Sequence, residues 1–435
     1  MSARLLSRLT ALALACVLLS CVSASAAAKS NRITPLGGIN IGSPYVQGGA
    51  ERIAGDIAAA KALHAKLMRM ELPWAQFEPN EQGQLNPSAV AVADQMMQAA
   101  AAAHIKVIAL VEGTPCWAST APPSLLARCS PGNLGKATAW PPQNPTAYGA
   151  FVGWLAQRYG NELAAIEVWN EPDQANQDYL EGPNKPQHYA ELLRAAYPAI
   201  KSADSNIKVL AGSLVGSNGT FMKALYKQGI KGYYDGVAVH FYTLVLGSVR
   251  HFRDVQLENG DHTPLWLDEF GWSSCWPKQK IEQEQGCVTP RVQAENITNA
   301  FRELVRAPYI AALLPYDLRD SASEQFGMLT SAGKRKPAFN ALSKVLRSPF
   351  GSPTPVSLHL RIKSGQVLAS GSAPVGDYMR LEAFVGGRLR YQSIFTLNRF
   401  NRYSFKLPKV LGTSDVTVLV YQYWLGPHFD AQRSI

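Results

Sequence analysis

Short apolar runs and amphipathic segments alternate along the chain from about residue 33. Eight runs are rich in apolar and β-branched residues, and the segments between them repeat apolar residues at helical spacing. The eight runs lie at 33–42, 66–74, 105–113, 164–172, 207–215, 236–242, 264–272 and 310–318. Strands that alternate with helices are typical of parallel βαβ units. The region therefore predicts an α/β fold, a (β/α)8 TIM barrel with loop insertions.

The pattern changes after residue 350. The segment 351–355 reads Gly-Ser-Pro-Thr-Pro, which is typical of a linker, and short alternating runs separated by turn residues follow it. These runs predict a small C-terminal β-sandwich. We therefore expect a barrel domain at 29–350 and an accessory β-sandwich at 351–435.

Residues 1–28 have the pattern of an export signal. Two arginines precede a short apolar core at 9–19, and Ala-Ser-Ala at 24–26 fits a cleavage site. The apolar core is shorter than the roughly 20 residues that span a bilayer. We expect a periplasmic or extracellular protein. The segment 18–21, Leu-Leu-Ser-Cys, also resembles a lipobox, so lipid anchoring through Cys21 is an alternative to release.

The charge of the chain is concentrated in its C-terminal part. The whole chain is 47% hydrophobic and 17% charged, which excludes a disordered protein, and it carries a net charge of +10. Residues 351–435 hold ten Lys and Arg against four Asp and Glu, a net charge of +6. This excess fits contact with an anionic polymer or the cell envelope, or a solvated basic surface. No run of basic residues suggests a nucleic-acid partner.

Four cysteines outside the export signal form two close pairs in the sequence, Cys116 with Cys129 and Cys275 with Cys287. Exported proteins favour disulfides, and four cysteines allow three connectivities. We favour the local pairing, because each pair would close one long loop. A zinc site is not expected without a C-x-x-C spacing. No phosphate loop or dinucleotide fingerprint is present, so no cofactor or metal is expected.

Two glutamates stand at the ends of predicted strands that lie across the barrel mouth. Glu171 ends strand 4 in Val-Trp-Asn-Glu-Pro, and Glu269 ends strand 7 in Leu-Asp-Glu-Phe-Gly-Trp. Active sites of such barrels form at the C-terminal ends of the strands. Two carboxyl groups about 5–5.5 Å apart, one protonated and one ionised, cleave glycosidic bonds with retention of configuration. We expect Glu171 and Glu269 to form this pair.

Polar neighbours of the two glutamates fit the same chemistry. Asn170 can hydrogen-bond a sugar 2-hydroxyl. His240 and Tyr242 alternate on strand 6 and can face the same way, beside strand 7. A hydrogen bond from Tyr242 and the charge of Arg69 would each favour the ionised form of Glu269.

Aromatic residues on the same face of the barrel are candidates for stacking on sugar rings. We expect Trp74, Trp117 and Trp272 to contribute as a group, although each can equally serve the core. Asp268, which adjoins Glu269, is expected to point to the opposite face of its strand.

These motifs resemble the retaining glycoside hydrolases of the (β/α)8 clan with catalytic glutamates on strands 4 and 7, most closely family 39-like bacterial enzymes. The segments that carry the resemblance are 70–79, 168–173, 221–242, 266–272 and 314–330. The resemblance implies that Glu171 is the acid/base and Glu269 the nucleophile. It extends to secreted endoglycosidases that trim bacterial exopolysaccharides. Many relatives carry an aromatic platform near the end of strand 8; here Pro315 precedes Tyr316, which can take that place.

The sequence thus predicts an exported retaining β-glycosidase, endo-acting on an extracellular polysaccharide, and a monomer. Two alternatives use the same barrel. One is a non-catalytic carbohydrate-binding or biofilm-matrix protein, which the departure at Pro315 suggests. The other is a transglycosylase that uses the same two glutamates.

Overall fold

Eight parallel strands close into a barrel, as the alternation of the sequence predicts. The computed structural model describes residues 35–45, 49–175, 179–242, 244–275, 287–347, 354–375, 378–422 and 431–435. The predicted export signal and Cys21 lie outside these residues. The strands pair in chain order, and the last returns to the first. They are β1 (Leu36–Asn40), β2 (Leu67–Glu71), β3 (Lys106–Val111), β4 (Leu163–Val168), β5 (Lys208–Leu214), β6 (Gly236–His240), β7 (Leu265–Glu269) and β8 (Ile310–Leu313).

Helices connect these strands and cover the outside of the barrel. They are α1 (Gly49–Ala62), α2 (Trp74–Phe77), α3 (Pro87–Ala102), α4 (Pro123–Leu126), α5 (Pro145–Tyr159), α6 (Lys185–Ala203), α7 (Thr220–Lys227), α8 (Val245–Glu258), α9 (Pro290–Leu304) and α10 (Pro337–Arg347). Three of these helices are preceded by a capping residue and have proline at their first position. Asn86, Asn144 and Thr289 each accept a hydrogen bond from a backbone N–H of the first turn. Proline fits the first helical position because a backbone N–H at that position would have no hydrogen-bond partner within the helix.

The side chains inside the barrel form two layers, a lower apolar layer and an upper layer of ionisable groups. A cluster of buried side chains from successive strands fills the lower level, including Leu67, Ala165, Ala238 and Trp266. Side chains alternate along a strand, so the residue two positions later points to the same side. On β2, β4, β6 and β7 these later residues are Arg69, Glu167, His240 and Asp268. The alternation therefore places a layer of ionisable groups just below the barrel mouth.

Seven antiparallel strands follow the barrel and confirm the predicted β-sandwich. The strands are β9 (His359–Lys363), β10 (Gln366–Ser372), β11 (Tyr378–Val385), β12 (Arg388–Thr396), β13 (Arg402–Lys406), β14 (Val416–Gln422) and β15 (Ala431–Ser434). One sheet has the order β13-β10-β9 and the other β12-β11-β14-β15. Their facing side chains, such as Val367, Ala369, Leu381 and Val418, form a separate core.

Polar side chains join the sandwich to helix α9 of the barrel. Asn299 donates to the carbonyl of Pro374 at 3.1 Å, and Asn401 donates to the side chain of Asn296 at 2.6 Å. The barrel and the sandwich belong to one compact unit. The exact boundary at 350/351 stays a prediction, because the adjoining residues lie outside the described ranges.

Two disulfides close loops on the active-site side of the barrel. Cys116 is joined to Cys129 after β3, and Cys275 is joined to Cys287 after β7. The local pairing is therefore confirmed. Within the ranges given above, no helix combines the length and the apolar character that crossing a bilayer requires.

Candidate active site

Arg69 is the central cation of the barrel mouth. Its side chain lies inside the barrel and is 4% exposed. It donates to Glu269 Oε1 and to Glu167 Oε2, each at 2.8 Å, and to Asn170 Oδ1 at 3.0 Å. Burial alone would lower the pKa of Arg69, but the charges of the surrounding carboxylates raise it well above its usual value. Arg69 therefore stays charged and ties β2 to β4 and β7.

Three donors hold the carboxyl group of Glu269. Oε1 accepts from Arg69 at 2.8 Å and from Asn40 Nδ2 at 3.1 Å, while Oε2 accepts from the hydroxyl of Tyr242. These donors fix the orientation of the carboxyl group at the barrel mouth. Arg69 and Tyr242 thus lie where the sequence predicts them. Asn40 at the end of β1 was missed, although it is a polar residue at the C-terminal end of a barrel strand.

Glu171 lies in a different environment. It is 8% exposed, and burial raises its pKa to about 7, although Gln174 and Arg69 act in the opposite direction. Its Oε1 lies 2.8 Å from Nδ1 of His240. The backbone at Glu171 has a φ of 40°, in the left-handed region that non-glycine residues seldom adopt. Such conformations persist where the surrounding structure imposes them, often at functional sites.

The two glutamates approach each other closely. One carboxylate oxygen of Glu171, one of Glu269 and a ring nitrogen of His240 all lie within 4.8 Å of one another. Carboxyl groups of inverting glycosidases lie about 6.5–9.5 Å apart, whereas those of retaining enzymes lie about 5–5.5 Å apart. The spacing in this chain matches the retaining arrangement.

His240 is a neutral bridge between the glutamates. It is buried, and burial lowers its pKa to about 4, although Glu269 acts in the opposite direction. Nδ1 lies 2.8 Å from Glu171 and 3.4 Å from Glu269. Nε2 lies 3.5 Å from Asp268 Oδ1. Because its charge is absent at neutral pH, His240 orients Glu171 through the 2.8 Å contact without adding a positive charge beside it.

Asp268 corrects one expectation from the sequence. Its side chain points into the barrel, 3.6 Å from Nε of Arg69, and is fully buried. The expectation failed because Asp268 keeps the inward alternation of Trp266, whereas Glu269 lies where the pairing of β6 with β7 shifts register. Burial raises the pKa of Asp268 well above its usual range, and the charge of Glu167 raises it further. A protonated Asp268 donates a hydrogen bond to Glu167.

Glu167 was also missed by sequence reasoning. It is fully buried, and Arg69 lowers its pKa although burial opposes this. Its position two residues after Ala165, on the inward side of β4, is a signal that alternation alone could have given.

A second carboxyl pair lies at the ends of β2 and β3. Glu71 and Glu112 share a hydrogen bond, and burial raises the pKa of both groups. This pair was not predicted, because the resemblance assigns no role to either glutamate.

Two of the three predicted tryptophans belong to the core. Trp74 is fully buried, and its Nε1 donates to Glu78 Oε2 at 2.8 Å. Trp272 is 2% exposed and packs edge-on against Phe270. The expectation that these two rings stack on a sugar is therefore wrong, because buried rings offer no free face.

Trp117 and Tyr316 are only partly buried and remain candidates for sugar contacts. Trp117 donates to the backbone of Glu78 at 2.7 Å, and Tyr316 donates to Glu324 at 3.0 Å. The ring of Tyr316 lies edge-on to that of Tyr242, 6.2 Å between centroids. This contact places Tyr316 beside the hydroxyl that holds Glu269.

Two groups of acidic and histidine side chains come close enough to share a cation. They are Glu167, His240 and Asp268, and Glu171, His240 and Glu269. Arg69 already donates to a glutamate of each group at 2.8 Å. The guanidinium therefore supplies the positive charge that a bound metal would otherwise bring.

Comparisons with known proteins agree with this geometry. The sequence profile of the cellulase family, glycosyl hydrolase family 5, matches residues 32–307. A family 39 glycoside hydrolase from the gut symbiont Bacteroides cellulosilyticus WH2 is 16% identical, with a TM-score of 0.56 over 87% of this chain and 82% of that chain. A family 39 β-xylosidase from Caulobacter crescentus is 19% identical, with a TM-score of 0.54 over 81% of this chain and 82% of that chain.

A family 39 enzyme from Xanthomonas axonopodis pv. citri is 16% identical, with a TM-score of 0.54 over 90% of this chain and 94% of that chain. At these identities the solved structures share the fold. A sequence comparison with curated proteins finds no match. The family profile and the family 39 folds together support the resemblance that the motifs indicate.

Proposed function

Because the chain belongs to the cellulase family, glycosyl hydrolase family 5, we propose that it is a retaining β-glycosidase with Glu171 as acid/base and Glu269 as nucleophile. That the protein is a glycoside hydrolase follows from the family. The retaining mechanism is supported by one observation above all. Carboxylate oxygens of Glu171 and Glu269 lie within 4.8 Å of each other; burial raises the pKa of Glu171 to about 7, while Arg69 donates a hydrogen bond to Glu269 at 2.8 Å.

The first step forms a covalent intermediate. Glu171, protonated because of its burial, gives its proton to the oxygen of the leaving group. An oxygen of Glu269 attacks the anomeric carbon, and the bond between that carbon and the leaving group breaks. Arg69 and Asn40 hold the other Glu269 oxygen, so the attacking carboxylate is already oriented.

The second step returns the enzyme to its starting state. Glu171, now a carboxylate, takes a proton from water while the water oxygen attacks the anomeric carbon. The ester bond to Glu269 breaks, and the sugar leaves with its original configuration. A tautomer of His240 with a proton on Nδ1 can donate to the Glu171 carboxylate across their 2.8 Å contact.

We assign Asn170 to recognition of the sugar. Its Oδ1 accepts from Arg69 at 3.0 Å, which leaves the amide nitrogen as the group that would donate to a substrate. Its side chain adjoins the acid/base, where the 2-hydroxyl of the bound sugar would lie. Hydrogen bonds to this hydroxyl strengthen in the transition state.

We also propose that the enzyme is exported and acts within an extracellular polysaccharide. The pattern of residues 1–28 and the two disulfides support export, because disulfides persist in oxidising compartments. The endo mode and an exopolysaccharide substrate rest on the sequence resemblance.

Trapping of the intermediate tests the proposed mechanism. The full chain is incubated with a panel of 2-deoxy-2-fluoro glycosyl fluorides and examined by peptide mass spectrometry. We expect a glycosyl adduct on Glu269, and the sugar that reacts identifies the innermost subsite. Glu269→Gln should stay unlabelled, whereas Glu324→Gln, a matched change near Tyr316, should still be labelled. An adduct on another residue, or hydrolysis products of inverted configuration, would overturn the assignment.

A further inference from the structure

The three-stranded sheet of the sandwich has one apolar face and one basic face. Val367, Ala369 and Tyr403 point inward, where they join the sandwich core. Alternation places Arg361, Lys363, Arg402 and Lys406 on the opposite, outward face. All four are exposed. We call these four residues and His359, which is also exposed and outward, the basic face.

The strand register brings the basic side chains together. Leu368 of the central strand β10 pairs with Arg361 on one side and with Lys406 on the other. Since neighbouring strands lie about 4.8 Å apart, these two cations are separated by roughly 10 Å. Lys363 pairs with Gln366 in the next row, about 7 Å along the sheet. The positive charges are therefore spaced regularly over the outward face of this sheet.

No acidic residue balances this charge on the sheet itself. The other outward positions of β9, β10 and β13 hold serine, glutamine and one leucine. Among the residues that the structure describes, no ion pair involves any of the four Arg and Lys residues of the basic face. The other sheet differs, because its Arg380 forms an ion pair with Glu382 at 2.6 Å. Like charges in cross-strand proximity repel, and a bound anion would relieve this repulsion.

We propose that the basic face binds an acidic polysaccharide through its carboxylate groups. Arginine and lysine form charge-assisted hydrogen bonds with carboxylates, and a sheet face offers them in a repeating order that suits a repeating polymer. A lipid surface fits less well, because membrane attachment also needs exposed apolar side chains and the outward face offers only Leu368. Single-stranded nucleic acid would need aromatic platforms, which the outward positions lack.

This inference adds to the proposed function and rests on it in one respect. A hydrolase of extracellular polysaccharide benefits when a second site raises the local concentration of the polymer. The binding itself does not depend on catalysis, so the two proposals can fail separately.

Binding of alginate, a polymer of uronic acids, tests the proposal. The full chain, the double variant Arg361→Gln/Lys406→Gln and the control Arg388→Gln/Arg390→Gln are compared by affinity electrophoresis. Arg388 and Arg390 are exposed on the other sheet, so both variants lose two charges. We expect the Arg361/Lys406 variant to bind alginate about tenfold more weakly, which corresponds to about 1.4 kcal/mol. The control should bind as the unchanged chain does, and binding should weaken with salt.

Two further probes complete the test. A neutral β-glucan should not be retained through the basic face, and vesicles containing phosphatidylglycerol should bind less than alginate does. Equal losses in both variants would overturn the proposal, because net charge alone would then explain binding. Retention by vesicles without retention by alginate would also overturn it. Hydrolysis of aryl glycosides, which tests the catalytic proposal separately, should be equal in all three proteins.

Discussion

Replacing Glu171 by Gln should make the protein more stable at alkaline pH and leave its stability almost unchanged in acid. Burial raises the pKa of Glu171 from 4.5 to about 7. Between these values the folded chain holds a proton that the unfolded chain releases. Folding therefore binds a proton in this window, and the free energy of unfolding falls as the pH rises through it. Gln resembles the protonated acid and does not titrate.

The size of the effect follows from the shift. One pKa unit corresponds to about 1.36 kcal/mol. A shift of the pKa from 4.5 to about 7 therefore lowers the free energy of unfolding of the wild type by about 3.4 kcal/mol at pH values above both pKa values. Between pH 4.5 and pH 8 the advantage of the Glu171→Gln variant should grow by about 3 kcal/mol. The gain should come with loss of hydrolysis, because the variant cannot protonate a leaving group.

Urea unfolding followed by tryptophan fluorescence at both pH values gives the difference directly. Glu51→Gln is a suitable control, because Glu51 is exposed at the start of α1. This variant gives the effect of removing one exposed carboxyl group, and the change for Glu171→Gln is measured against it. If the advantage of Glu171→Gln is constant between the two pH values, Glu171 does not hold its proton in the folded state. The assignment of the acid would then be refuted.

Substitutions at three other sites, namely Asp268, Tyr242 and the Cys116–Cys129 disulfide, test the surrounding network and the loop after β3. Asp268→Asn should keep kcat/KM within about fivefold, because Asn resembles a protonated Asp. Asp268→Ala removes a buried hydrogen-bond donor and should lower kcat/KM roughly 10–100-fold. A large decrease of kcat/KM in Asp268→Asn would show that the ionised form is needed. Tyr242→Phe removes a donor to Glu269 and should lower kcat/KM roughly 10–100-fold. An unchanged kcat/KM would contradict that role. Cys116→Ser with Cys129→Ser opens a loop with a sequence separation of 13 and should cost about 3 kcal/mol in urea unfolding; an unchanged midpoint would contradict this.

Much of the fold and part of the site could be predicted from local patterns. Alternation of strand and helix predicts the barrel, because each βαβ unit carries its own signal. Glu171 and Glu269 are recognisable because each stands in a short motif at a strand end. Arg69 is recognisable as a cation inside an apolar strand. Tyr242 follows from its spacing to His240, since side chains two apart share a face.

Other parts of the site could not be read from local patterns. Trp74 and Trp272 stand at strand ends like sugar-binding residues, yet their rings are buried. Asp268 was placed on the wrong face because its side was inferred from Glu269, and the register shift beside Glu269 is invisible in one strand's sequence.

The sequence by itself determined the order of the elements, the eight-strand alternation and the positions of the two glutamates at strand ends, because these depend on neighbours within a few residues. Only the tertiary structure decided which groups meet and which carry charge. Closure of the barrel brings Asn40 to Glu269 across 229 positions of the chain. Closure also buries Glu171, which raises the pKa of that carboxyl group to about 7, and it directs the guanidinium of Arg69 at Glu269.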